Sequence, residues 1–210
     1  SFRRKAEAKD MEFATTRGGV TMTPSIDAGK LRERLEVMEL KEGPNGVWTW
    51  ESVRKARGQV ELNTVKKNLF SSVGIGARGA ELVLRRQPLT LHQAILWGEQ
   101  HLFLTAVLPE GRLHLRVQTA LVTVDTITLK KDRNTEEKTF PGVLTEKYAR
   151  HEQEWPMSVN ELSLVLVVPK VVTLRPGTLV KARGALWEVL VPHELDEFKN
   201  EYEIGRRAEL

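Results

Sequence analysis

The stretch AILWGEQHLFLTAVLPEGRLHLRVQ occupies residues 94–118. It holds two apolar runs, Ala94 to Trp97 and His101 to Leu108, parted by Gly98-Glu99-Gln100. A third run, Leu113 to Gln118, follows Pro109-Glu110-Gly111. A packed helix needs about ten uninterrupted residues, so runs this short, broken this often by Gly and Pro, are strands joined by tight turns. Gln59-Val60-Glu61-Leu62 and Leu82-Val83-Leu84 are of the same kind. The spacing predicts an all-β fold, as a small barrel or sandwich.

Upstream, Gly29 to Leu40 supports two readings. Leu31, Leu35 and Met38 stand at helical spacing, whereas Leu35, Val37 and Glu39 would alternate along a strand. Glu42-Gly43-Pro44-Asn45-Gly46 then precedes Val47-Trp48-Thr49-Trp50, and an Asn-Gly turn before an aromatic run is hairpin chemistry. Downstream the pattern recurs. An offset of 83 places Val60 on Val143, Val83 on Leu166, Leu96 on Leu179, Phe103 on Leu186 and Pro109 on Pro192. Each half has a Pro-containing turn, a short strand, a Gly turn (Gly98 or Gly184) and an aromatic-bearing strand. The expectation is an N-terminal arm over 1–25 and two similar β domains over 26–123 and 124–210. The arm is polar and aperiodic, and a neighbouring subunit is expected to hold it.

Composition narrows the chemistry. The chain has 210 residues, no cysteine and a net charge of +4. Disulfides and thiolate zinc sites are therefore excluded. No apolar run approaches the ~18 residues of a membrane helix, so no membrane association is expected, and Ser1 to Asp10 lacks the apolar core of a secretion signal. Residues 1–123 carry 19 Lys and Arg against 13 Asp and Glu, a mild basic excess. His92, His101, His114, His151 and His193 form no zinc-ligand spacing and read as solvated or turn histidines. No serine lies in G-x-S-x-G, so no catalytic residue, cofactor or metal is assigned. Gly74-Ile75-Gly76-Ala77-Arg78-Gly79 spells G-x-G-x-x-G, but no strand precedes it and only a strand's length follows before Pro88. The dinucleotide reading needs a βαβ setting, so these glycines belong to a loop between strands. Trp97 and Trp187 lie in apolar runs and are expected in the core. Trp48 and Trp50 share one strand face and could line a subunit contact.

The first half resembles the head–tail joining (head closure, or stopper) proteins of tailed bacteriophages. The matching pieces are Gly29-Lys30-Leu31-Arg32-Glu33-Arg34-Leu35-Glu36-Val37, then Gly46 to Val53 with Gly58-Gln59-Val60-Glu61, then Glu81-Leu82-Val83-Leu84-Arg85-Arg86, and finally Ile95-Leu96-Trp97-Gly98 with His101 to Val107. The resemblance implies that Leu35 to Leu40 is a strand. It implies a non-enzymatic virion protein, made in the host bacterial cytoplasm, that forms a homo-oligomeric ring in the neck. Its partners would be the portal or adaptor protein, the tail terminator or tail tube protein, and packaged double-stranded DNA. It also implies a long loop, Asn63 to Gly79, that points into the DNA channel. No acidic residue occurs from Leu62 to Ala80, while Lys66, Lys67 and Arg78 are basic and Gly74, Gly76 and Gly79 allow rearrangement. The same loop could instead clamp subunits together. Arg3, Arg4 and Lys5 of the arm, with Trp48 and Trp50, are the expected neighbour contacts, and strand edges and apolar patches the expected glue. A tail terminator or adaptor ring, and a nucleic-acid-binding barrel, are the alternatives.

Overall fold

The computed structural model describes residues 28–66, 78–130, 137–146 and 163–207. Its strands close into two antiparallel barrels. The first comprises β1 (Glu33–Glu42), β2 (Trp48–Lys66), β3 (Arg78–Arg85), β4 (Ala94–Trp97), β5 (Gln100–Glu110) and β6 (His114–Val122). The second comprises β7 (Asp125–Leu129), β8 (Lys138–Glu146), β9 (Ser163–Pro169), β10 (Leu179–Ala182), β11 (Ala185–His193) and β12 (Lys199–Arg206). Around the first wall the order is β1-β2-β3-β6-β5-β4, and around the second it is β7-β8-β9-β12-β11-β10. The two barrels thus share one topology, and both are all-β as expected.

The ambiguous stretch is a strand. β1 is hydrogen-bonded on both sides, with Leu35 opposite Ala56 of β2 and Trp97 of β4. Leu35 and Val37 are buried between exposed or half-buried neighbours Arg34 and Glu36. Two ladders and a buried face outweigh the modest helix preference of these residues. The β1–β2 turn holds Asn45 and Gly46 at φ of 63° and 71°, the left-handed region that these two residue types enter most readily.

Three details recur between the barrels. A bulge at Thr105 interrupts β5 against β6, and one at Leu190 interrupts β11 against β12. Gly58 and Gly142 sit where β2 and β8 press onto the core. A Cβ on Gly58 would lie 2.5 Å from Leu84 and 2.8 Å from Leu35; on Gly142 it would lie 2.8 Å from both Ile127 and Leu166. Opposite those glycines stand Glu33 and Asp125. Each acid is reached from the next tight hairpin, by Trp97 Nε1 at 3.0 Å and by Arg183 at 2.7 Å. The hairpins and bulges correspond at an offset of 85 residues, not 83, since Trp97 matches Ala182 and Thr105 matches Leu190. Apolar identity alone slides easily along a strand, whereas turns and bulges fix register.

Each barrel has its own core. Leu35, Leu82, Leu84, Ile95, Leu102 and Val117 fill the first. Ile127, Phe140, Leu166, Val180, Trp187 and Tyr202 fill the second. A third cluster joins them: Phe103, Ala120 and Val122 of the first barrel pack with Val143, Val165 and Val167 of the second. Trp48 adds to this seam by packing against the second core.

Candidate functional site

Six cations converge on one surface of the first barrel. β1 and β2 run antiparallel there, and their outward residues are Arg34 and Glu36 on one strand, Lys55 and Arg57 on the other. Ala56 and Gly58 turn inward between them, because side chains alternate along a strand. Arg32 precedes β1, Arg85 ends β3 and Arg86 follows it. Two adjoining clefts of about 720 and 620 Å³ share Lys55, Ala56 and Arg57 and so form one groove. Arg32, Arg85 and Arg86 line its first part, Arg34 and Glu36 its second.

The groove carries a net positive charge, with Glu36, opposite Lys55 in the ladder, as the acid in its lining. Among the described residues, none of Arg32, Arg34, Lys55, Arg57, Arg85 and Arg86 has a carboxylate partner. Arg32 Nε donates to the Gly29 carbonyl at 2.6 Å, and Arg57 donates to the Arg32 carbonyl at 3.2 Å, which orients both without neutralising either. Three arginines elsewhere are paired with acids. Arg116 bonds both Glu81 and Glu110, Arg183 pairs with Asp125 and Arg207 with Glu188. The Arg116 contact holds Glu110 below the usual carboxylate range. Within the groove, Arg34 stands directly opposite Arg57 in the β1–β2 ladder. Like charges in that position repel and destabilise a sheet.

The residues singled out from sequence are dispersed. Lys67, Gly74 and Gly76 lie outside the described residues, as do Arg3, Arg4 and Lys5. The boundaries of the expected loop need correction. β2 continues to Lys66 and β3 begins at Arg78, so Asn63 to Lys66, Arg78 and Gly79 belong to strands. Lys66 pairs with Arg78 in the ladder, and Arg78 Nε donates to the Asn63 carbonyl at 3.0 Å. Gly79 is buried, with a Cβ there falling 2.8 Å from the Asn63 amide. Trp48 and Trp50 are half-buried and engaged within the chain, Trp48 on the second core and Trp50 at 5.3 Å from the His101 ring.

Two expectations about single side chains also change. Trp187 is core, whereas Trp97 is half-buried, packing against the first core while its indole N–H donates to Glu33. His101 is not solvated. It is 9% exposed, its Nε2 has no hydrogen-bond partner, and burial lowers its pKa from 6.5 to about 4. Its neighbours, Trp50, Phe103, Val143 and Val167, give a charged imidazole nothing to pair with. The groove's cations went unrecognised because they lie in separate stretches, 32–34, 55–57 and 85–86. Only the strand order β1-β2-β3 brings them side by side. The Arg-x-Arg of Arg32 and Arg34, and the Lys-x-Arg of Lys55 and Arg57, were the available signal: on a strand that spacing puts both charges on one face.

No protein-family model matches the chain, and no curated protein matches it. Among solved structures, the Bacillus subtilis inhibitor of motility MotI/DgrA aligns over 85% of this chain and 88% of its own, at 8% identity and a TM-score of 0.19. A likeness that low carries no argument about fold or function.

Proposed function

We propose that this chain is a structural protein of a tailed bacteriophage virion. It forms a homo-oligomeric ring in the neck, joins the DNA-filled head to the tail and helps close the DNA channel. One observation carries the reading. The pieces resembling head–tail joining proteins fall, in order, on successive strands of one closed wall. Gly29 to Val37 leads into β1, and Gly46 to Val53 with Gly58 to Glu61 lies along β2. Glu81 to Arg86 covers the end of β3 and the residue after it, Ile95 to Gly98 lies on β4 and its turn, and His101 to Val107 lies within β5.

The barrels also constrain how such a ring holds together. Each wall closes, but among the described residues, positions 48–57 of β2 are laddered to β1 alone, so that edge is open to a neighbouring copy. The exposed Leu62, Leu108, Leu113 and Leu190 add apolar surface for contacts between copies. Portal or adaptor on the head side, and tail terminator or tube on the tail side, are the proposed neighbours, with duplex DNA in the lumen. A tail terminator or adaptor ring is the alternative within the same neck.

The basic groove favours a second reading, a nucleic-acid-binding β-barrel acting inside the cell. Mass spectrometry of purified particles separates the two. The neck reading expects the chain in virions, and its deletion should leave filled heads and free tails unjoined. Absence from particles, or normal infectious particles without it, overturns the neck reading.

A further inference from the structure

We propose that the groove formed by Arg32, Arg34, Lys55, Arg57, Arg85 and Arg86 binds the phosphate backbone of duplex DNA. This site lies apart from the segment that sequence had pointed to, and it does not depend on the neck assignment.

Three observations lead there. First, the like-charged pair Arg34–Arg57 is held directly opposed across a ladder. A fold tolerates that repulsion at little benefit to itself, and an anion between the two guanidinium groups would convert it into attraction. Secondly, the cations lie on or next to three adjacent strands whose spacing is about 4.8 Å, so they form a band rather than a point. A band suits a polyanion better than a single phosphate. Thirdly, the lining's apolar residues are the aliphatic Leu31, Leu35, Ala56 and Leu96, and it has no aromatic ring. An acidic protein partner would be expected to find a buried apolar or aromatic anchor, and single-stranded nucleic acid an aromatic platform for its bases. What remains is charge directed at backbone phosphates, which is sequence-independent and salt-sensitive.

The test uses the whole chain and a short mixed-sequence DNA duplex, with binding followed by fluorescence anisotropy across a salt series. Two groove variants, Arg34→Gln with Arg57→Gln and Arg85→Gln with Arg86→Gln, are compared with a control, Arg175→Gln with Lys181→Gln. The control removes the same charge from exposed positions on the second barrel. Wild type and control should bind with the same steep salt dependence. Each groove variant should weaken binding about tenfold or more and flatten the slope of log K against log salt by roughly 1 to 2. Thermal melting guards against misfolding. Removal of the opposed pair should leave the melting temperature equal or higher, so a binding loss reports the site. The proposal is overturned if wild type shows no salt-dependent duplex binding, or if the groove variants bind like the control. It is also overturned if polyglutamate displaces the duplex at equal charge, or if the single strand binds more tightly than the duplex.

Discussion

Two glycines and one histidine show how much rests on single residues. Gly58 and Gly142 have no room for a methyl group, because neighbouring leucine and isoleucine atoms already stand within 2.8 Å of where it would go. Alanine at either position is expected to destabilise its own barrel by about 1–3 kcal/mol through overpacking, read by urea unfolding. His101 is buried as the neutral imidazole, with its pKa lowered from 6.5 to about 4. A depressed histidine pKa means that the unfolded chain binds the proton first. The stabilisation is therefore full above about pH 6.5 and is lost as pH falls towards 4. At the low end the loss approaches about 3 kcal/mol. His101→Phe should lack this component. Unfolding of the variant and wild type across that pH range should give a stability difference that shifts towards the variant as acid is added, and a constant difference would refute the assignment.

At the level of elements, the β1–β2 hairpin was legible because Asn-Gly turn chemistry is local. The strand identity of β1 was not, since it is set by ladders to β2 and to the distant β4. The segment between β9 and β10 depends on one side chain in a comparable way. The Tyr202 hydroxyl accepts from the Leu174 N–H at 3.0 Å and donates to Glu194 at 2.6 Å, while Asn200 Nδ2 donates to the Val172 carbonyl at 2.8 Å. Burial, reinforced by the Glu194 contact, raises the Tyr202 pKa, so the hydroxyl stays protonated and keeps its donor. Tyr202→Phe is expected to cost about 1–2 kcal/mol, since it leaves a buried N–H without its acceptor. Hydrogen exchange at Leu174 should quicken in the variant; unchanged exchange would show that the bond contributes nothing.

For the whole molecule, the decisive feature is the seam. Phe103, Val122, Val143, Val165 and Val167 pack across the two barrels, which only Thr123 and Val124 join in the chain. Shared buried surface makes two small units unfold together. Calorimetry should show one transition for wild type. Phe103→Ala, which opens a cavity worth about 3 kcal/mol or more, should lower the melting temperature and separate the transitions. Two resolved transitions in the wild type would mean the seam does not couple the barrels.

Sequence alone determined the strand content, the tandem repeat and the turns, because alternation, Gly and Pro placement and Asn-Gly chemistry act over a few residues. Tertiary structure decided the rest. Closure of each wall made β1 a strand against its own propensity, and packing between the barrels buried His101 and half-buried Trp48. It also gathered arginines from 32–34, 55–57 and 85–86 into one groove. Those outcomes depend on which strands become neighbours, and strand pairing is a long-range choice that no single stretch of the chain encodes.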